Sequence, residues 1–144
     1  MATKRILVLC TGNSARSQMA EGFLRSLDSG LEVHSAGTHP SPRVNPYAIR
    51  AMQEVGIDIS NGEPKSVERF LDRRFDYVFT VCDDADHNCP HFRGTVGKRV
   101  HMGFVDPARA TGSEEEILGA FRRVRDEIRT QFMEYYQKEI RSEL

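Results

Sequence analysis

Long apolar runs, charge imbalance and cysteine are all in short supply in this chain, and each shortage excludes something. Before residue 10 the strongly apolar run is only Ile6-Leu7-Val8-Leu9, too short for a signal-peptide core and far too short for a membrane span, so a cytoplasmic protein without a membrane role is expected. Lysine and arginine number 20 against 21 acidic residues, leaving a formal net charge of -1 with no lysine-arginine block, which argues against a nucleic-acid partner. The 3 cysteines are too few, and odd in number, for the disulfide framework of a secreted scaffold; they fit reduced thiols with reactive or metal-binding work. No repeat, low-complexity stretch or second domain is visible. What is present is the composition of an ordinary globular protein, 39% hydrophobic and 28% charged. The 144 residues fit one domain, residues 1–144, that buries about two-thirds of its unfolded surface.

The informative stretch is Cys10-Thr11-Gly12-Asn13-Ser14-Ala15-Arg16-Ser17. It follows the apolar run and leads into Met19, Ala20, Phe23, Leu24 and Leu27, spaced as on one helix face. Strand, tight loop and helix therefore succeed one another. Such a loop turns several backbone N–H groups and the positive end of the helix toward one point, which favours a bound oxyanion. The same field stabilises a thiolate, so Cys10 is expected to have a depressed pKa and to act as a nucleophile. Arg16 is placed to pair its planar guanidinium with two oxygens of the bound group. Thr11, Gly12, Asn13, Ser14 and Ala15 complete the oxyanion-binding loop, Gly12 with backbone freedom that a Cβ resists; Ser14 and Ser17 are positioned to hydrogen-bond the sulfur or brace the loop. The plain alternative is a buried structural cysteine beside a surface arginine.

A helix is predicted from about Ser17 to Leu27, closed by Ser29-Gly30, then a second strand over Leu31–Ala36. Asn45-Pro46 starts a helix that presents Ala48, Met52 and Val55 and stops at Gly56. Ser66 begins a short helix with Val67, Phe70 and Leu71 inward. Tyr77–Val81, β-branched and aromatic, is the third strand and ends at Cys82. A short helix or structured loop carrying Cys89 is expected between Asp83 and Gly97, followed by a weak fourth strand near Arg99–Met102. Ser113 and Glu116 form a capping-box pattern ahead of Ile117, Phe121, Val124, Ile128, Phe132 and Tyr135, which recur at helical spacing. Strands alternating with helices predict an α/β fold. Its expected form is a three-layer α/β/α arrangement with a four-stranded parallel sheet, which takes the order 2-1-3-4 if it follows the flavodoxin-like arrangement, and ligands at the strands' carboxyl ends.

The other two cysteines admit more than one reading. With the first and third strands adjacent, the ends carrying Cys10 and Cys82 lie about 5 Å apart, inside the roughly 7 Å between Cα atoms that a disulfide tolerates. Cys89 follows 7 residues after Cys82. On an intact helix that offset is about 10.5 Å along the axis, so a bond between them requires residues 83–88 to unwind. The segment Asp83-Asp84-Ala85-Asp86-His87-Asn88 is polar, so local unwinding is cheap beside global unfolding. Equally, Cys82 fits a buried small apolar residue and Cys89 a chance exposed thiol. A zinc site from Cys82, His87, Cys89 and His91 is disfavoured by the spacing, and no metal is expected.

The loop resembles the phosphate-binding loop of the low-molecular-weight tyrosine phosphatase family, whose fold is shared by the thioredoxin-coupled arsenate reductases. The resemblance continues through Gly103-Phe104-Val105-Asp106-Pro107-Ala108-Arg109-Ala110-Thr111-Gly112 and Phe121-Arg122-Arg123-Val124-Arg125-Asp126-Glu127-Ile128, and so covers nearly the whole chain. Cys10, Cys82 and Cys89 match the three cysteines such a reductase requires. What the resemblance implies is the low-molecular-weight phosphatase fold and a relay without cofactor. Cys10 attacks arsenate held by the loop amides and Arg16, while Asp106 protonates the departing oxygen. Cys82 then attacks Cys10, giving a Cys10–Cys82 intermediate disulfide and arsenite; Cys89 attacks Cys82, and the final Cys82–Cys89 disulfide is reduced by thioredoxin. Ser17 joins the catalytic set, phosphate and sulfate compete as oxyanions, and a monomer with weak phosphatase side activity is expected.

Ala15 stands where relatives often carry cysteine, with no loss to that relay. Some relatives bind potassium through residues matching Asn13, Glu21 and Ser35, with a further acid where this chain has Lys65. The Lys65 ammonium, paired with Glu21, is expected to supply the charge itself and make the protein insensitive to potassium. Two other functions stay open: a low-molecular-weight protein tyrosine phosphatase using Cys10, Arg16 and Asp106 with water, and a non-catalytic thiol redox sensor. Against the phosphatase, Ala108 and Arg109 stand where that branch has tyrosines, and hydrolysis leaves Cys82 and Cys89 without a task.

Overall fold

The apolar run before the loop becomes an inner strand. In the computed structural model, which describes residues 3–87 and 91–141, β1 (Arg5–Cys10) lies between β2 (Glu32–Gly37) and β3 (Phe75–Thr80), and β4 (Val96–His101) forms the edge beyond β3. Every pairing is parallel, in the order β2-β1-β3-β4. An inner parallel strand is covered on both faces, which is why Ile6, Leu7, Val8 and Leu9 are all fully buried. The register sets Leu9 beside Thr80 and Cys10 beside Gly37. Just past β3, the Val81 N–H donates to the Leu9 carbonyl at 2.9 Å and keeps the chain alongside β1 as far as Cys82.

Helices flank the sheet. α1 (Arg16–Leu27) rises directly from the loop, and α2 (Pro46–Gln53) begins where expected, with the Asn45 side chain accepting from the Tyr47 N–H and proline at the first turn. α2 gives way to a turn in which Gly56 adopts φ +80°, a conformation that favours glycine. Ser66 caps a 3-10 turn over Val67–Phe70. α3 (Asp83–His87) is short. The 22-residue α4 (Glu114–Tyr135) carries the full reciprocal capping box of Ser113 and Glu116 and runs on into a π-helical turn over Tyr136–Ile140. It buries Phe121, Val124, Ile128 and Phe132, and Phe132 meets Phe79 of β3 with ring centroids 5.1 Å apart. No helix among the described residues is long and apolar enough to cross a membrane.

Several boundaries differ from expectation: β2 lies one residue later than Leu31–Ala36, and α2 ends at Gln53, short of Val55 and Gly56. β3 starts two residues earlier than Tyr77 and stops at Thr80. β4 occupies Val96–His101 rather than Arg99–Met102, because Gly97 and the charged residues after it mask the strand pattern. Gly97 is there for a close approach: a Cβ on it would sit 2.7 Å from the Asp76 carbonyl oxygen of β3. Residues 88–90, Cys89 among them, lie outside the described residues.

Candidate active site

The loop of residues 10–17 is shaped from behind. The Cys10, Thr11, Gly12 and Ser14 carbonyls accept from the N–H groups of Thr38, His39, Ser41 and Asn45 at 2.8–3.2 Å, and the Asn13 carbonyl accepts from Gln18 Nε2 at 3.2 Å. In a trans peptide the C=O and the following N–H point in opposite directions, and the described chain has no cis bond. With the carbonyls fastened to residues 38–45 and Gln18, the amides of residues 11–15 face away from them, as an oxyanion cradle requires. The Thr11 N–H is aimed at the Cys10 sulfur.

Asn13, not Gly12, takes the unusual backbone conformation, at φ +51°. Asparagine tolerates that region, and here its side chain pays the strain back in bonds: Nδ2 donates to Ser17 Oγ at 2.8 Å, and Oδ1 accepts from the Lys65 N–H at 2.9 Å. Gly12 is needed for room, since a Cβ there would lie 2.6 Å from Ser41 Oγ. Gly37 is more tightly constrained, because a Cβ on it would collide with the Thr11 carbonyl oxygen. Ser17, fully buried, braces the loop through Asn13 rather than binding the sulfur. Gln18 went unnoticed in the sequence. Its amide ties Asn13 to the Glu63 carbonyl at 3.2 Å, and no local motif marks a glutamine whose partner is 45 positions away.

Cys10 and Cys82 meet at the base of the loop, both buried and both free thiols. The Cys82 sulfur is hydrogen-bonded by the Cys10 thiol, the Thr11 hydroxyl at 3.3 Å and the Ala85 N–H at 3.4 Å. The Cys10 hydrogen bond chiefly, with Thr11, Ala85 and the Arg16 charge, holds Cys82 down to about 5 against the cost of burial. Cys10 is pushed up, first by the hydrogen bond it donates to Cys82 and then by burial, with Arg16 opposing. The two thiols therefore titrate as a pair whose first proton leaves readily and whose second is retained. The expectation of a depressed pKa at Cys10 is reversed in this ligand-free pocket because a second thiol competes for the anion.

The loop opens into a cleft of about 880 Å³. Arg16 enters it from α1, its Nη1 donating to the Phe104 carbonyl at 3.0 Å. Asp106 faces it from the chain after β4: Oδ2 lies 3.7 Å from Arg16 Nη2, while Oδ1 accepts from the Ala108 N–H at 3.0 Å. Arg109 and His39 also line the cleft. Glu21 and Lys65 do not pair as expected. Glu21 accepts from the Ser35 hydroxyl at 2.6 Å and pairs with Arg25 at 3.2 Å, while the Lys65 ammonium donates to the Glu63 carbonyl at 2.9 Å. Arg25 reaches Glu21 along its own helix, four residues on, whereas Lys65 is half-buried, and that burial lowers its pKa although Glu21 opposes the shift.

A cysteine and an arginine closing one oxyanion loop, at the carboxyl ends of strands ordered 2-1-3-4, define a class of protein. The chain belongs to the low molecular weight phosphotyrosine protein phosphatase family, whose model matches residues 5–144. Within that class its similarity runs to reductases. It is 48% identical over 136 residues to the arsenate reductase of Bacillus subtilis (strain 168), covering 94% of this chain and 96% of that one. A solved arsenate reductase in the phosphate binding state matches with TM-score 0.79 and 33% identity, over 94% of this chain and 98% of the other. Another, in the oxidized state, matches with TM-score 0.80 and 34% identity over the same shares.

Proposed function

We propose that this protein is an arsenate reductase that works by a three-cysteine relay and is regenerated by thioredoxin. The observation that carries the reading is the meeting of two buried free thiols, Cys10 and Cys82, at the base of the loop, with the Thr11 hydroxyl 3.3 Å from the Cys82 sulfur. Arsenate sits on the loop amides and the Arg16 guanidinium, as the relative in a phosphate binding state makes reasonable for an oxyanion. An oxygen of the arsenate dianion takes the Cys10 proton, and the Cys10 thiolate, favoured by the Arg16 charge, forms the S–As bond while Cys82 stays a thiolate. Asp106 passes a proton to the departing oxygen, which leaves as water. Cys82 then forms an S–S bond to Cys10, and the S–As electron pair passes to arsenic, which falls from As(V) to As(III). Cys89 displaces Cys10 from Cys82, and thioredoxin's dithiol reduces the resulting Cys82–Cys89 disulfide. Ser17 acts by holding Asn13. The protein acts as a cytoplasmic monomer in this reading.

The test is arsenate-dependent NADPH oxidation with thioredoxin and its reductase, run beside glutaredoxin with glutathione and beside p-nitrophenyl phosphate hydrolysis. Turnover with thioredoxin, and no more than weak hydrolysis, is expected. Hydrolysis without reduction would leave the phosphatase reading. The Cys89→Ser variant should stall as a Cys10–Cys82 disulfide detectable by mass spectrometry, and sustained turnover by that variant would refute the relay.

A further inference from the structure

Three side chains outside that relay form a chain across the base of Cys82. Thr80 ends β3 two residues before it, and Asp83 begins α3 one residue after it. His101, the last residue of β4 and the register partner of Thr80, lies between them. Its Nδ1 is 2.9 Å from Thr80 Oγ1 and its Nε2 is 3.1 Å from Asp83 Oδ1. A carboxylate can only accept, so Nε2 carries its proton toward Asp83; in the neutral ring Nδ1 then accepts from the Thr80 hydroxyl. The Asp83 side chain is 84% exposed, so this contact rather than burial fixes where it sits. One imidazole thus fastens the backbone on both sides of Cys82 to the sheet edge.

We propose that His101 is a positioning residue for Cys82: through Thr80 and Asp83 it holds the start of α3 where the Ala85 N–H points at the Cys82 sulfur and that sulfur faces Cys10. The inference rests on the relay reading, because the step it serves is the one in which Cys82 forms the S–S bond with Cys10 and arsenic takes the S–As electron pair. Without the fastening, the start of α3 is anchored at the β3 tip through buried Ala85, and the sulfur's donor and aim are held less closely. Second-layer partners that orient a reacting group commonly change rates without touching substrate, the histidine partners in metal sites being the familiar case.

Two measurements on the full-length chain test this. In a Cys10→Ser, Cys89→Ser background Cys82 is the one thiol left, and its thiolate absorbance is titrated against pH. His101→Leu and Asp83→Ala should raise the midpoint by about one unit, and His101→Gln, which keeps a donor for Asp83 and an acceptor for Thr80, should restore most of it. In a Cys89→Ser background, a single turnover with arsenate is quenched by alkylation and the Cys10–Cys82 disulfide is read by mass spectrometry. His101→Leu should slow its appearance about tenfold, with inorganic phosphate binding by calorimetry kept within about twofold of the parent. Unchanged midpoint and rate would overturn the inference, and so would a loss of phosphate binding as large as the loss of rate, which marks general damage. If the parent itself forms no arsenate-dependent disulfide, the relay reading fails, and the titration alone decides the role of His101.

Discussion

In the proposed relay, a thiolate resting on Cys82 rather than Cys10 keeps the nucleophile of the second step ready in the empty pocket, and that of the first is mobilised when an anion arrives. Titrating the thiolate absorbance of Cys89→Ser should show one thiolate with a midpoint near 5. Thr11→Val, which deletes a donor to that sulfur, should move it upward. Because the pair's first proton leaves well below the ordinary 9.0, its ionisation contributes stability that is present near pH 9 and lost as pH falls through about 5, while the proton retained on Cys10 reverses the trend above pH 9. At Glu21 the two carboxylate oxygens are already engaged by Ser35 and Arg25, with the Lys65 ammonium close by. Replacing sodium with potassium at equal ionic strength should therefore leave turnover unchanged, and activation would show that a cation displaces Arg25.

α2 and α4 are locked together by charge. Arg125, largely buried, donates from Nη1 to the Ala51 carbonyl at 2.9 Å and to Glu54 Oε1 at 2.8 Å, and Arg122 also grips Glu54, whose pKa it holds down to about 2. Arg125→Leu should lower stability by about 1–3 kcal/mol in a denaturant titration, because it takes the donor from a buried carbonyl. This lock also shows where sequence reading reaches its limit. The Ser113–Glu116 box and the Asn45-Pro46 start were legible because both partners lie within one helical turn. The Arg125 to Ala51 contact spans 74 positions, and the Thr80–His101–Asp83 chain exists only once β4 pairs with β3. The oxyanion loop was legible in composition, yet the division of labour between Gly12, Asn13 and Gly37 was not, since it depends on what approaches each residue from other strands.

The site belongs to the assembled sheet: Cys10 comes from β1, Cys82 from the chain after β3, and Asp106 from the chain after β4. The aromatic seam beneath them joins Tyr77 and Phe79 to Phe132 and Tyr135 of α4. Phe132→Ala should cost about 3–5 kcal/mol of unfolding free energy, the usual penalty for emptying a fully buried phenyl site, read from the denaturant midpoint. A smaller loss would mean that α4 collapses onto the void. The outward-bound carbonyls of residues 10–14 carry one more consequence. An eight-residue graft of this loop onto another strand–helix junction would arrive without residues 38–45, and its peptide planes would be free to rotate. Engineers who want its anion affinity elsewhere would have to transplant the mould together with the casting.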